Sequence, residues 1–255
     1  MARALPSGRK REEYDIYSMV FSRNIGAITR AEQEILSKSS AAVVGCGGIG
    51  GIASEMLARS GIGRLTVVDS DSFDISNLNR QLFSQERLVG KGKAKEAEKR
   101  LKSINPDLKI ISRSDALTEK NAAKLIGGHD IVVDGLDNAL GRVALSRAAK
   151  DLSLHYVFGA AERTKGYSTV FTPHGISFER MFNLPSNAKP LDKVITERLE
   201  NAQRCDSVLG VVANMIGCVE AMQAVGVLLK KDFVQPPNLI HVSAFSKNPF
   251  VVGPL

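Results

Sequence analysis

A glycine-rich segment is the first candidate for chemistry. Gly45, Gly47 and Gly50 form a G-x-G-x-x-G pattern between a short apolar run and a helical pattern, which is the context that nucleotide-binding turns require. Because these positions carry no side chains, backbone N–H groups and the helix N-terminus can approach a phosphate closely. Asp69 ends the next strand about 20 residues later, where a carboxylate accepts hydrogen bonds from ribose hydroxyls. The pattern predicts an adenine nucleotide without distinguishing NAD from ATP, and a tight turn that binds nothing remains the alternative.

Two basic side chains follow the glycine pattern. The segment SNLNRQ (76–81) places Arg80 after the second strand, and Lys93 begins the next helix. Dinucleotide binding needs only the turn and an acid, whereas charge that develops on an α-phosphate and on departing pyrophosphate needs cations close by. Taken singly, each is more typical of a solvated surface. Their position downstream of a nucleotide turn favours phosphate chemistry.

Carboxylates close the fourth predicted strand. Asp134 and Asp137 lie in DIVVDGLDN, and the carboxyl ends of parallel strands face the ligand crevice. An oxygen ligand at this place suits Mg²⁺ that is bound together with nucleotide phosphates. The alternative is that Asp137 merely caps the helix that begins at Ala139.

Composition, charge and cysteine content argue against a nucleic-acid-binding, membrane-spanning or secreted protein. Of the 255 residues, 44% are hydrophobic and 24% are charged, which is typical of a globular α/β chain. The net charge of +7 favours acidic partners, but no nucleic-acid-binding motif accompanies it, so we expect no nucleic-acid partner. No apolar run approaches the roughly 20 residues of a membrane span, and the N-terminus lacks a signal-peptide core. Three isolated cysteines, without a CxxC pair, further favour a cytoplasmic protein.

Strand and helix patterns alternate through the first two thirds of the chain. Short apolar runs predict strands, and amphipathic or charged stretches predict helices between them. The predicted strands are 41–45, 64–69, 108–112, 130–134 and 154–159, and the predicted helices are 52–61, 93–105, 118–126 and 139–150. This alternation predicts a Rossmann-like, doubly wound, mostly parallel sheet with helices on both faces.

The remaining chain has a different pattern. A strand at 167–171 is followed by a long, charged and irregular stretch at 174–205, which suggests a functional or mobile connection. An apolar helix is predicted at 208–229, and its polar residues favour a buried or dimer-interface helix over a membrane span. Two strands, 239–245 and 249–252, are expected to add an antiparallel edge. We therefore predict one domain over 1–255, divided into an N-terminal arm with helices (1–40), a nucleotide-binding core (41–173), a variable crossover-type loop (174–205) and a C-terminal helix with strands (206–255).

A series of short segments now carries a family resemblance. They are SRN around Arg23, GCGGIG (45–50), LTVVDSD (65–71), SNLNRQ (76–81), GKGK ending at Lys93, INP (104–106), DGLDN (134–138) and GYSTVFTP (166–173). In order and spacing, they resemble the ubiquitin-activating-like adenylyltransferases of the molybdopterin and thiamine pathways, the MoeB/ThiF/HesA group. The combination is far more specific than a single glycine motif.

The resemblance implies an activity and its partners. Such enzymes use Mg²⁺-ATP to adenylate the C-terminal glycine of a small ubiquitin-fold or sulfur-carrier protein that ends in Gly-Gly, and they release pyrophosphate. The chain is accordingly expected to form a homodimer in which Arg23 reaches the partner subunit's site. The residues implied for nucleotide and metal are Gly45, Gly47, Gly48, Gly50 and Asp69 around the nucleotide, Ser76, Asn77, Leu78, Asn79 and Arg80 along ribose and phosphates, Lys93 on the phosphates, Asn138 at the nucleotide, and Asp137 at the nucleotide and the magnesium ion.

The sequence also departs from the family. Many members have two CxxC pairs that bind zinc, but Phe178 and Met181 stand where the first pair is expected, so no zinc is expected here. Cys205 lies where related enzymes often have a cysteine that forms a covalent link to the activated carrier, although its spacing to Gly217 is shorter than in the family. Two other functions remain open: an NAD-dependent oxidoreductase and a non-catalytic nucleotide-binding subunit.

Overall fold

The sheet holds the whole domain together. The computed structural model describes residues 16–201 and 207–255. Its strands are β1 (Ser40–Val44), β2 (Arg64–Val68), β3 (Lys109–Arg113), β4 (Ile131–Asp134), β5 (His155–Glu162), β6 (Lys165–Phe171), β7 (Asn238–Ser243) and β8 (Phe250–Pro254). In this part of the chain they form one eight-stranded sheet in the order β3-β2-β1-β4-β5-β6-β7-β8.

The direction of the strands changes once. Strands β1 to β5 pair in parallel, and β6, β7 and β8 continue the sheet in antiparallel pairs. The predicted parallel core and antiparallel edge are confirmed. In the register, Val44 of β1 lies between Val68 of β2 and Asp134 of β4. The strand order reverses at β1 and β4, and this reversal opens a crevice at their carboxyl ends, where open α/β sheets bind ligands.

Helices cover both faces of the sheet. They are α1 (Ile16–Val20), α2 (Arg30–Lys38), α3 (Gly48–Ser60), α4 (Lys93–Ile104), α5 (Glu119–Ile126), α6 (Ala139–Asp151), α7 (Phe178–Met181), α8 (Lys193–Asn201) and α9 (Gly210–Leu228). Val43 and Val67 pack in the core on the side of α3 and α4, whereas Val44 and Val132 pack on the side of α5 and α6. Successive residues of a strand point to opposite faces, so these continuous apolar strands supply both cores.

Helix α9 differs from its prediction in one respect. Its 19 residues have a mean hydropathy of 1.6 and are long and apolar enough to cross a membrane, so the expectation that no run approaches that length was wrong. Half of the helix is buried, and it packs against α3, β5 and β6. Glu220 and Gln223 are buried within it. By these contacts α9 is a core helix of this domain.

The stretch predicted as irregular contains two helices. Ser177 begins α7 by accepting a hydrogen bond from the Arg180 N–H, and Asp192 accepts one from the Ile195 N–H at the start of α8. Phe178, Ile195 and Leu199 are buried in the core on the α6 side. The prediction of a loop failed because α7 is only four residues long and α8 buries only one narrow face. Both depend on packing that a sequence window does not reveal.

Candidate active site

A cavity of about 1120 Å³ lies at the carboxyl ends of the parallel strands. One part is bounded by the glycine turn, by the loops after β2 and β4, and by residues 115–120 after β3. A second part lies at the end of β5 and the start of β6 and extends toward α8; it is lined by Ala160, Ala161, Glu162, Tyr167, Leu191, Thr196, Ser207 and Val208. The volume slightly exceeds the usual range of about 300–1,000 Å³ for ligand sites, and its two parts offer room for a nucleotide and an extended chain.

The glycines of the turn fall into two kinds. Gly45 has a φ of +96°, and an added Cβ at Gly50 would lie 1.9 Å from the Gly45 carbonyl oxygen. These two positions therefore permit the close contact of β1, α3 and the loop after β4. Gly47 and Gly48 line the cavity, and at Gly47 the nearest atom to an added Cβ is 3.8 Å away. Gly47 begins α3 without a side-chain cap, which leaves the helix N-terminus facing the cavity, as a phosphate requires.

Asp69 is fixed beside this turn. Its carboxylate accepts hydrogen bonds from the Cys46 N–H at 2.7 Å and the Asp71 N–H at 2.8 Å. Burial raises the pKa of Asp69, although both hydrogen bonds oppose this shift. The side chain lines the cavity, and a carboxylate has further lone pairs with which to accept ribose hydroxyls.

Lys93 is a buried cation at the cavity wall. Only 7% of the residue is exposed, and its Nζ lies 3.1 Å from Asp71 Oδ2. The Lys93 N–H also donates to the Asp71 carbonyl at 2.8 Å. Helix α4 thus begins with its lysine directed at the site, and a bound phosphate would share the ammonium with Asp71.

The loop after β2 divides its residues between the cavity and the fold. Ser76, Asn79 and Arg80 line the cavity, and Arg80 Nη1 donates to the Ser76 carbonyl and to Asn79 Oδ1, both at 2.9 Å. Asn77 is buried and accepts the Asp74 N–H in a 3-10 turn. Asn77 and Leu78 do not line the cavity, because the turn directs them elsewhere.

The two aspartates after β4 have different surroundings. Asp137 is exposed and lines the cavity. Asn138, not Asp137, caps α6, since its Oδ1 accepts the Gly141 N–H at 2.8 Å. The alternative that Asp137 is the helix cap was therefore wrong, and its carboxylate is available to a ligand.

Asp134 lies away from the crevice, contrary to the expectation. It is fully buried, accepts hydrogen bonds from the Leu136 N–H and the Tyr156 hydroxyl, and lies 3.3 Å from Arg142 Nε. Burial raises the pKa of Asp134. Its role is to tie β4 to β5 and α6 rather than to contact a ligand.

The cavity also includes residues that the sequence analysis did not select. Gln81 is buried, and its Oε1 has no hydrogen-bond partner, while its Nε2 lies near Gly47. Residues 115–120 form the wall beyond β3. Gln81 was already within the SNLNRQ segment, and the rule that ligands contact loops after parallel strands could have identified 115–120.

Arg23 is far from the cavity formed by its own chain. It is exposed on the 3-10 turn Ser22–Asn24, and Asn24 Nδ2 donates to the Ser60 carbonyl at the last residue of α3. Helix α3 begins at the glycine turn and has 13 residues, about 20 Å of length. The structure therefore does not bring Arg23 together with Arg80, Lys93 and Asp137. Cys205 lies outside the described residues.

Sequence comparison agrees with this geometry. The profile described as the ThiF family matches residues 21–252. The chain belongs to the ThiF family. The resemblance drawn from the short segments is thereby confirmed.

Individual relatives carry more specific names. The chain is 32% identical over 216 residues to the molybdopterin-synthase adenylyltransferase of Haemophilus influenzae, covering 85% of each protein. It is 36% identical over 198 residues to the maize adenylyltransferase and sulfurtransferase MOCS3-1, covering 76% of this chain and 40% of that protein. The chain thus spans about two fifths of the length of this maize relative.

Solved structures show the same fold. Escherichia coli MccB with ATP superposes with a TM-score of 0.73 at 21% identity, covering 95% of this chain and 71% of MccB. The E. coli tRNA N6-threonylcarbamoyladenosine dehydratase TcdA in complex with ATP gives a TM-score of 0.67 at 21% identity, covering 85% of this chain and 96% of TcdA. These similarities establish the fold class.

Proposed function

We propose that this chain uses ATP to adenylate the C-terminal carboxylate of a small ubiquitin-fold or sulfur-carrier protein and releases pyrophosphate. The proposal is supported by the adenylyltransferase relatives of the ThiF family. One observation carries it: Arg80, Lys93 and Asp137 line the same cavity as the glycine turn. A dinucleotide site does not need this arrangement, whereas phosphoryl chemistry does.

Basic residues at the cavity stabilise the negative charge on the phosphates during the reaction. A carboxylate oxygen of the carrier attacks the α-phosphorus, a P–O bond forms, and the bond from the α-phosphorus to the bridging oxygen breaks. Pyrophosphate leaves with that electron pair. Arg80 and Lys93 stabilise the negative charge on the phosphates, because fixed cations in a partly buried site need little reorganisation. Asp69 holds the ribose, and the turn at Gly47 and Gly48 holds the phosphates.

Asp137 fits the role of magnesium ligand. Its carboxylate faces the cavity and is not used to cap α6. Among residues 16–201 and 207–255, no group of three or more His, Cys, Asp or Glu side chains forms a metal site by itself. Mg²⁺ commonly takes one or two carboxylates and completes its shell with phosphate oxygens and water. When bound, the ion neutralises phosphate charge, and Asp137 fixes its position.

The second part of the cavity suits an extended carrier terminus. It is lined by Ala160 and Ala161 from β5, whose small side chains leave space beside a chain end that approaches Asp137. A small carrier protein ending in Gly-Gly matches this shape because its terminal residues have no side chains to accommodate. This assignment needs neither a nucleic acid nor a membrane as partner, and we place the reaction in the cytoplasm.

In a homodimer, Arg23 of one subunit would reach the cavity of the other subunit. Arg23 is exposed at the opposite end of α3, and Met19, Val20 and Met222 are exposed apolar side chains on α1 and α9. A second copy that covers such surfaces would direct Arg23 to the neighbouring cavity. Mixing Arg23→Ala subunits with Asp137→Ala subunits tests this arrangement: regained activity supports it, and no recovery after demonstrated subunit exchange contradicts it.

ATP–pyrophosphate exchange tests the function itself. Purified protein, Mg²⁺-ATP and labelled pyrophosphate are combined with a ubiquitin-fold protein ending in Gly-Gly, and with the same protein lacking its last Gly. Exchange that requires the intact terminus is the expected result. ATP binding without exchange would instead indicate a non-catalytic subunit, and nicotinamide-dependent absorbance changes would indicate an oxidoreductase. Replacement of Cys205 by Ala should preserve exchange whether or not this thiol later accepts the carrier.

A further inference from the structure

Arg147 connects two segments that are far apart in the sequence and that each adjoin or include residues lining the cavity. It lies on α6, and its guanidinium contacts α5 on one side and the segment 178–189 on the other. Neither the glycine turn nor the phosphate-binding cations involve this residue. Its contacts therefore call for a separate explanation.

The contact with α7 is bidentate and largely buried. Arg147 Nε donates to Glu179 Oε2 at 3.0 Å, and Nη2 donates to Glu179 Oε1 at 2.8 Å. Only 7% of Glu179 is exposed. The paired geometry is specific to a guanidinium, because lysine presents a single ammonium instead of a planar fork.

The same guanidinium holds the turn that follows α7. Nη2 lies 3.0 Å from the Ser186 carbonyl and 2.6 Å from the Lys189 carbonyl. Between them, Ala188 has a φ of +57°, a conformation that L-residues other than glycine rarely adopt. Arg147 thus holds both sides of a strained residue. Leu191, which lines the cavity, is only two residues beyond Lys189.

The remaining nitrogen of the guanidinium contacts α5. Nη1 donates to Glu119 Oε1 at 3.1 Å, and Glu119 is the first residue of α5. Residues 115–120, which include Glu119, form the wall of the cavity beyond β3, on the side of the glycine turn. One side chain is therefore bonded both to this wall and to the segment that immediately precedes the cavity-lining Leu191.

We propose that Arg147 is a positioning residue that couples the nucleotide side of the cavity, through Glu119, to residues 186–196, of which Leu191 and Thr196 line the cavity. The inference rests on the proposed function, because it takes ATP as the ligand that contacts residues 115–120. ATP that fixes this loop also fixes Glu119, and Arg147 transmits the constraint to the turn at 186–189. Residues 186–196, next to the second part of the cavity, thereby become ordered when ATP is bound.

Hydrogen exchange with Mg²⁺-ATP as the only ligand tests this coupling. In the wild-type protein, ATP is expected to slow amide exchange in residues 186–199 by at least about fivefold, the lower end of typical coupling between sites. Arg147→Lys should remove most of this ATP-dependent difference while ATP still binds. A purely structural role of Arg147 would change exchange equally with and without ATP.

Two matched variants control the experiment. Lys124→Ala lies on the exposed side of α5, and Arg180→Lys is an exposed change on α7; both should keep the ATP-dependent protection. ATP binding is measured separately by calorimetry, so a protein that does not bind ATP overturns the proposed function and the coupling together. Bound ATP without protection of 186–199 in the wild type, or protection that persists in Arg147→Lys, overturns the coupling alone.

Discussion

The two parts of the cavity are built by different means. Around the glycine turn, backbone contacts backbone, as in the approach of Gly50 to the Gly45 carbonyl. Next to the second part, side chains that do not themselves line the cavity support the structure: Phe158, Phe171 and Phe178 pack with ring centroids 5.2 to 6.1 Å apart, and Arg147 holds the turn after α7. Backbone contact requires glycine at fixed spacings, whereas side-chain packing permits many substitutions. The first region therefore depends on glycines at fixed spacings, and the second depends on the packing of larger side chains.

A substitution at Gly50 should have the largest effect. In Gly50→Ala, the added Cβ lies 1.9 Å from a backbone oxygen, so β1 or α3 must shift. We expect a loss of about 3 kcal/mol in the free energy of unfolding, the upper end of overpacking costs, measured by urea denaturation. Gly47→Ala is the matched control, because its Cβ meets no atom closer than 3.8 Å. Equal stability of the two variants would contradict the division between structural and ligand-facing glycines.

Loss of a charged group at the cavity should reduce activity instead of stability. Asp137→Ala and Arg80→Ala are each expected to lower ATP–pyrophosphate exchange by about 10²-fold or more, the scale of removing one transition-state stabiliser. Their unfolding transitions should stay close to that of the wild type. Asp107→Ala removes an exposed aspartate that does not line the cavity and should leave exchange unchanged. Exchange at the wild-type level in both cavity variants would contradict the roles assigned to Asp137 and Arg80.

The buried acid Glu220, which lies against β5, should make the free energy of unfolding depend on pH. Glu220 is fully buried, neither carboxyl oxygen has a hydrogen-bond partner, and Gly159 lies directly against it. Burial first, and the charge of Asp134 second, raise the pKa of Glu220 well above its usual value. Above pH of about 4.3 the unfolded chain releases this proton while the folded protein keeps it. The stability contribution of Glu220 therefore falls as pH rises toward its folded pKa.

Glu220→Gln should remove that dependence. Glutamine has the shape of the neutral acid and does not titrate, so the stability of the variant should exceed that of the wild type increasingly as pH rises. The expected difference grows by about 1.4 kcal/mol per pH unit up to the folded pKa, as measured by urea denaturation between pH 5 and pH 8, roughly the range in which proteins are most stable. Parallel curves for the two proteins would show that Glu220 is ionised in the folded state.

Zinc chelation should have no effect on either region. By the resemblance, many family members hold zinc through CxxC pairs, whereas this chain has Phe178 and Met181 where the first pair is expected. Phe178 is buried among aromatic rings, so we expect packing and not a metal to hold this segment. Elemental analysis of the purified protein should find no stoichiometric zinc, and a chelator should leave the unfolding temperature unchanged. One tightly held zinc ion per chain would refute this prediction.

The sequence by itself determined the parts that depend on local chemistry. Continuous apolar strands, the glycine turn and the basic residues after β2 each have a physical requirement that a short segment satisfies, so the parallel sheet and the position of Arg80 and Lys93 at the cavity were predictable. The helix at 118–126 was also predictable, because Asn121 accepts the Thr118 N–H in a local arrangement.

Only the tertiary structure decided which candidate side chains reach the cavity. Asp134 and Asp137 are three residues apart, yet one is buried against Arg142 and Tyr156 and the other faces the ligand space. Arg147 matters because of its hydrogen-bond partners at 119, 179 and 186, each of which lies 28 to 39 residues away from it along the chain. Such contacts arise from the three-dimensional arrangement of helices that are stable only when packed, and no local pattern encodes them.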